Sequence, residues 1–562
     1  MPSSLPNPMK TKCPKSLPTN RAGIVAVALA LLASGILTPV RATVTERALL
    51  LPNDSDARQA GDQVALAGDV AVVGSKGYNS LRGGVFVYER QGEPWPLRQL
   101  LMADLNRRGG NFDFHQFGHG VAISGQTIVV GCPGDRTEGG NGAVYVFVRA
   151  DKFWTRQAYL RPASGAGNSA FGTAVAIDGD VLVASSRGTY DAPDAAVRQG
   201  RLHVFQRKEG NWIEMQTLDS PYSFAPTSGL AQRTAGFGLN LALAGDTLVA
   251  GVPDDHSVAR GVDSNHLDQA ATESGAAWVY RNVAGTWIRE AYLKASNSHP
   301  RAKFGHAVAL AGNRLVVGAP EEASAGIGVN GDQTPVTGLR PGAAYVFNRD
   351  GAIWAQRAYL KAAEHNHVRE DKGDKFGISV ALAGSAVLVG AEADDNPGKG
   401  INTADSTATG STESGAAYLF QLSAAGEWTQ TAFIKAKTAN RSEVFGRSVA
   451  LAGSFALVGV PGKGSGFVQG AAYTFSFEPV AQELVLSAFN LELPVTPGPI
   501  RYSVALSGSP GAVVVLEGTG DLGLDDGWTE AARTTLDAQG RGSMVGTTAA
   551  NQQFYRLSPA GP

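Results

Sequence analysis

Small and apolar residues recur along this chain in short alternating runs, broken by glycine next to a polar residue, and the runs themselves repeat. Six Phe-Gly dipeptides, at Phe117, Phe171, Phe237, Phe304, Phe376 and Phe445, each open an alternating stretch, a Gly-centred turn and a β-branched run. Residues 304–320 read FGHAVALAGNRLVVGAP and residues 237–253 read FGLNLALAGDTLVAGVP, with a degenerate copy from Ala60, AGDQVALAGDVAVVGS. Alternation with period two predicts half-buried strands. A repeat of roughly 55–70 residues holding several strands predicts a radial or stacked repeat architecture.

Each unit continues alike. A variable connection leads to a third run, GAVYVF from Gly142, GAAWVY from Gly275, GAAYVF from Gly342, GAAYLF from Gly415 and GAAYTF from Gly470. A tryptophan then introduces a fourth, WTRQAYLRPA from Trp154, WIREAYLKAS from Trp287 and WAQRAYLKAA from Trp354. About four strands per unit with no helical segment predicts a propeller blade. The first hairpin in each unit is minimal, as in Ala244-Gly245-Asp246 and Ala311-Gly312-Asn313, where glycine beside Asp or Asn supplies the positive φ of a tight turn. The seventh unit has no tryptophan strand after Phe477, and the segment ERALLLP from Glu46 resembles the missing copy. The expected fold is therefore all-β: a seven-bladed propeller of four-stranded blades closed by the N-terminal strand, which removes the open sheet edges.

These residues carry a family resemblance. The chain resembles the FG-GAP repeat proteins, whose best-known members are the seven-bladed propellers of integrin α subunits, and is most similar to their secreted bacterial type. The resemblance implies a binding or adhesion role. It also implies calcium in an acidic loop between the first two strands, but the short Ala-Gly-Asp hairpins offer one carboxylate or none where calcium takes six to eight oxygens. No cofactor is therefore expected to be required, and calcium remains open only for the long loops.

The ends suggest where the protein works. Residues 1–42 contain Lys10, Lys12, Lys15 and Arg21, then an apolar stretch and Val40-Arg41-Ala42, the pattern of a secretory signal peptide. An uncleaved anchor is the alternative reading, since the stretch lies near the lower limit for spanning a bilayer. After cleavage no transmembrane segment is expected, and the protein is placed outside the cell or on its surface. Removing those residues takes away five basic side chains and no acid, so the remainder is more acidic than the −2 of the whole chain, which argues against nucleic acid as a partner. Cys132 is then the one remaining cysteine. It reads as a small apolar strand residue, with no intrachain disulfide or cysteine-based metal site expected. Three parts follow: signal peptide 1–42, propeller 43–478 and, after a break in composition, a small β-sandwich-like domain over 483–562.

Catalytic motifs are missing. Residues 326–331 match G-x-G-x-x-G, but Asp332-Gln333-Thr334-Pro335 cannot open a helix, so no dinucleotide site is expected. The close histidines His365 and His367 lack a third ligand. Repeated acidic pairs, Asp254-Asp255, Glu321-Glu322 and Asp394-Asp395, follow the second strand of units four, five and six. They read either as solvated acids or, with Asn265, Asn330, Asp332, Asn396 and Asp405, as oxygen ligands that order long loops around a hard cation. The loops 253–274, 320–341 and 392–414 lie on one face of three consecutive blades, and long loops on rigid scaffolds carry binding. The expectation is a monomeric, non-enzymatic protein that binds a protein or glycan there. A polysaccharide hydrolase or lyase acting near the axis, or a mainly structural surface protein, is the alternative.

Overall fold

The computed structural model describes residues 43–559, apart from parts of the loops, of which 104–114, 188–199, 222–235, 364–372, 404–412 and 520–528 are the longest. The signal-peptide expectation for 1–42, His365, His367 and Asp405 all lie outside the described residues.

Among the described residues, seven four-stranded antiparallel sheets follow one another along the chain, each meandering outward from its first strand. Blade 4 is typical, with strands Asn240–Ala244, Thr247–Val252, Ala276–Val283 and Thr286–Leu293. Because the strands are antiparallel, the two tight hairpins of a blade open on one face of the disc. The second-to-third connection and the link to the next blade open on the other.

Blades cohere through their flat sides. Each of seven apolar clusters draws on two adjacent blades; Val249, Leu293 and Ala295 of blade 4, for example, pack with Phe304, Val317, Tyr345 and Trp354 of blade 5. The repeated phenylalanine sits at this seam. Phe304 is fully buried, edge-on to Tyr345 at 5.3 Å, and its backbone bridges Gly275 of the preceding blade. A buried phenylalanine stabilises by roughly 1.5–3 kcal/mol, so the motif welds six of the seven seams, with Ala60 bridging Gly470 at the seventh. The following glycine is required for two reasons: Gly305 has φ +88, and a Cβ there would overlap the carbonyl oxygen of Ala276.

Closure occurs as the sequence suggests. Strand Val44–Leu50 pairs antiparallel with Ala471–Phe477, Leu49 opposite Tyr473, and becomes the outer strand of blade 7. A cluster containing Leu50, Ala57, Val73, Phe86, Leu457 and Ala472 then joins blade 7 to blade 1. Residues 482–562 form a separate unit with two three-stranded antiparallel sheets, Val485–Glu492 with Ile500–Ser507 and Arg541–Thr548, and Thr529–Thr535 with Val513–Thr519 and Phe554–Pro559. No helix among the described residues is long and apolar enough to cross a membrane.

Candidate binding face and cation sites

The long connections of blades 4, 5 and 6 are folded onto their own blades by one repeated device. In blade 5, Asn330 has φ +55, donates its backbone N–H to the Tyr359 carbonyl at 2.8 Å and accepts the Tyr359 N–H on Oδ1 at 2.9 Å, while Lys361 N–H reaches the Gly328 carbonyl at 2.9 Å. Asp263 makes the same bonds to Tyr292, and Asn402 to Phe433. Each loop thus clips the exposed edge of the outer strand, which would otherwise offer free backbone groups. Gly261-Val262-Asp263, Gly328-Val329-Asn330 and Gly400-Ile401-Asn402 are the sequence signal, and 326–331 belongs to this clip, with no helix following it among the described residues.

A lysine lies beneath each clip. Lys294, Lys361 and Lys435 are 0% exposed, although each stands in an otherwise ordinary outer-strand run. The Lys294 ammonium donates to Asp255 Oδ1 (2.9 Å), the Ser257 carbonyl (2.8 Å) and Ser274 Oγ (2.7 Å). That of Lys361 donates to Glu322 Oε2 and the Ser324 carbonyl, both at 2.8 Å. That of Lys435 donates to Asp394 Oδ1 and Ser414 Oγ, both at 2.8 Å, and to the Asn396 carbonyl. Burial works to raise the pKa of Glu322, but the adjacent Lys361 ammonium outweighs it and holds the carboxyl below its usual range.

This geometry changes the meaning of the acidic pairs. Asp255, Glu322 and Asp394 occupy one register, each donating its N–H to the last residue of the second strand. Asp394-Asp395 is therefore offset from the other two pairs, with Ala393 at the position of Asp254 and Glu321. Asp254 is paired with Lys303 at 2.8 Å and Glu321 with Arg340 at 2.7 Å, while Asp395 Oδ1 accepts the Glu413 N–H at 2.5 Å. Of the ten candidate residues that are described, Asp255, Glu322, Asp394, Asp395 and Asn396 are buried and do not meet a partner at the surface. Asn265, Asn330 and Asp332 are exposed, and Asn330 is committed to the clip. Asn265 and Asp332 cap their own loops, accepting N–H groups from Leu267 at 3.0 Å and Thr334 at 2.9 Å. Beside them stand exposed apolar tips, Val258, Leu267 and Ile327.

The axis opens on the same face. A cavity of ≈ 260 Å³ is lined by the beginnings of all seven inner strands, with His119, Thr173, Asn240, His306, Ser379 and Arg447 among its polar groups. Arg447 bridges Glu392 (2.8 Å) and Asp62 (3.4 Å), and these acids also bind Lys375 (2.9 Å) and Lys76 (2.7 Å). Burial raises the Glu392 pKa and the cations overcome it, leaving this carboxyl below its ordinary value. His306 is neutral at pH 7, since burial and then Arg447 push it down to about 4. The His119 ring Nδ1 lies 3.0 Å from the Thr173 carbonyl, so Nδ1 donates and Nε2 is left as an acceptor in the neutral ring.

Comparison with known proteins agrees with the blades. The model of the FG-GAP repeat family matches residues 113–147, 154–205, 287–347, 354–420 and 428–475. The chain carries FG-GAP repeats. No match was found among curated proteins. Solved structures similar to the FG-GAP propeller include the β-propeller domain of the Trilobed protease from Pyrococcus furiosus, 8% identical over 77% of this chain and 96% of that one, with a TM-score of 0.37. Another is Sqt1 of Chaetomium thermophilum, 11% identical over 82% of this chain and 96% of that one, with a TM-score of 0.36. Likeness at that level carries no functional argument.

Blade 2 keeps the buried acid of this register without the lysine. In blade 2, Asp135 stands at the register of Asp255, Glu322 and Asp394, with its N–H on the Cys132 carbonyl and the Gly142 N–H on its own carbonyl. Its carboxylate is 1% exposed and accepts the Tyr145 hydroxyl (2.6 Å) and the Thr137 N–H (2.8 Å). Arg161 replaces the lysine and sends Nη1 to the Thr137 carbonyl at 3.1 Å. His115 and Cys132, both buried, close on the acid, and potential ligand atoms of the three lie within 4.8 Å of one another. Sequence reading missed this cluster because its members are 17 and 3 residues apart with no local motif.

Proposed function

We propose that this FG-GAP chain is a non-enzymatic secreted or cell-surface protein that binds a protein or glycan partner through the long-connection face. The observation that carries the reading is the anchoring of that face: the described parts of the loops of three consecutive blades are clipped to their outer strands and seated on buried lysines. Their exposed tips are thereby pre-organised, and pre-organisation lowers the ordering cost of binding. The opposite face is built from short hairpins; it also carries exposed apolar residues, Phe153, Val283 and Ile353, but no long loop clipped to an outer strand among the described residues. The state of the axial carboxylates favours binding over polysaccharide hydrolysis. Glycoside cleavage needs one carboxylic acid held protonated, whereas Glu392 sits between two cations that hold it ionised.

The test is a glycan and protein array probed with the chain lacking residues 1–42. The best ligand is then measured against a triple variant of the tips, Val258→Ser, Leu267→Ser and Ile327→Ser. These positions are exposed, so the fold is expected to persist while affinity falls at least about tenfold, equivalent to ~1.4 kcal/mol. Unchanged affinity would move the site to the axis or the C-terminal unit.

A further inference from the structure

Three blades place a buried cation against the acid at the start of the long connection, and in each the cation is a lysine ammonium bonded to the carboxylate at 2.8 or 2.9 Å. Blade 2 keeps the acid, its turn and its burial. Among the described residues Asp135 has no ion pair with a lysine or arginine. A buried carboxylate without a cation is costly. What blade 2 gains instead is an imidazole and a thiol: Cys132 takes the position held by Val252, Ala319, Ala391 and Val460 in blades 4 to 7, and His115 that held by Ala302, Asp374 and Glu443 before blades 5 to 7. The additions converge on the one acid of this register that lacks its ammonium.

We propose that His115, Cys132 and Asp135 bind one divalent transition-metal ion of the zinc class, which takes the place of the lysine ammonium in blade 2. One nitrogen, one sulfur and one oxygen donor form a mixed set suited to zinc, and far from the all-oxygen shell of calcium or magnesium. Donors on a tetrahedral zinc stand about 3.5 Å apart, given metal–ligand lengths of about 2.0–2.3 Å, so a spread of at most 4.8 Å needs only a small contraction. The thiol proton passes to solvent as the sulfur binds, and three protein donors leave a fourth position for water. Tyr145 and the Thr137 N–H, both bonded to Asp135, orient the carboxylate from behind.

Cobalt(II) tests this directly. The chelator-stripped chain, given one equivalent of cobalt, is expected to show a near-ultraviolet thiolate-to-metal absorption together with visible bands, and both are expected to vanish when zinc is added. Cys132→Val installs the residue that blades 4 and 7 already use, so the variant is expected to melt normally without metal and to lose the thiolate absorption. Arg161→Lys restores the sequence of the lysine blades and is expected to weaken cobalt binding at least tenfold. Absence of the thiolate absorption in the parent chain, or its survival in Cys132→Val, where the chain's other cysteine, Cys13 in the N-terminal segment 1–42, would be its source, would overturn the site. Unchanged affinity in Arg161→Lys would overturn the equivalence of metal and ammonium.

Discussion

Lys361 Nζ lies 2.8 Å from Glu322 Oε2, and both side chains are wholly buried. The pair joins the outer strand of blade 5 to the connection between its second and third strands, so a loop of the binding face is anchored to the scaffold by a charge that has no access to water. Removing one member leaves the other buried and alone.

Glu322→Gln is therefore expected to destabilise the propeller by ~3–5 kcal/mol at pH 7, read from urea unfolding. The folded pKa of Glu322 is depressed, so its contribution is present above the unfolded value and lost as pH falls through the folded one. The gap between parent and variant should thus be full at pH 7 and narrow below pH ~4.5. A gap constant down to pH 3 would contradict the ion-pair account. The same pair constrains loop engineering. Replacing 320–341 by the blade 7 connection would put Lys463 at the position of Glu322, facing Lys361, so that exchange tests stability as much as binding.

His306 at the axial mouth gives a second pH dependence of definite sign. Its folded pKa, about 4, lies below its ordinary 6.5, so its contribution is full above pH 6.5 and disappears as pH falls towards 4. The loss is expected to be ~3–4 kcal/mol at most. His306→Gln should flatten the stability profile in that window, and a proton NMR titration of the ring should place the midpoint well below 6. A midpoint near 6.5 would show that the ring is solvated.

Deletion of residues 43–52 should leave Ala471–Phe477 as an unpaired edge and remove Leu50 from the seam between blades 7 and 1. Aggregation and a lower melting temperature are expected, measured by light scattering during a thermal ramp. A truncated chain that remains monomeric with unchanged melting would mean that the outer strand contributes nothing to closure.

Calcium should matter little. The acids at the base of the three long loops already hold ammonium groups, so adding millimolar calcium to metal-stripped protein is expected to leave the melting temperature within about a degree, since only a ligand bound to the folded state raises it. A rise of several degrees would reveal an oxygen site in those loops.

The repeat, the four-strand blade and the closing role of Val44–Leu50 were legible in the sequence because they rest on local properties: two-residue alternation, glycine turns and copy number. The long loops and their acidic pairs were legible as positions. Their chemistry was not, because it depends on partners distant in the chain: Lys294 reaches back 39 residues to Asp255, and Asp394-Asp395 falls out of register with the other pairs by one residue. A lysine in an outer-strand run reads as solvent-facing until a loop is seen to cover it. Cys132 reads as a small apolar residue until folding brings His115 and Asp135 beside it. Strand pattern is a property of neighbours in sequence, whereas burial, charge pairing and ligand sets belong to neighbours in space, and only the closed propeller decides those.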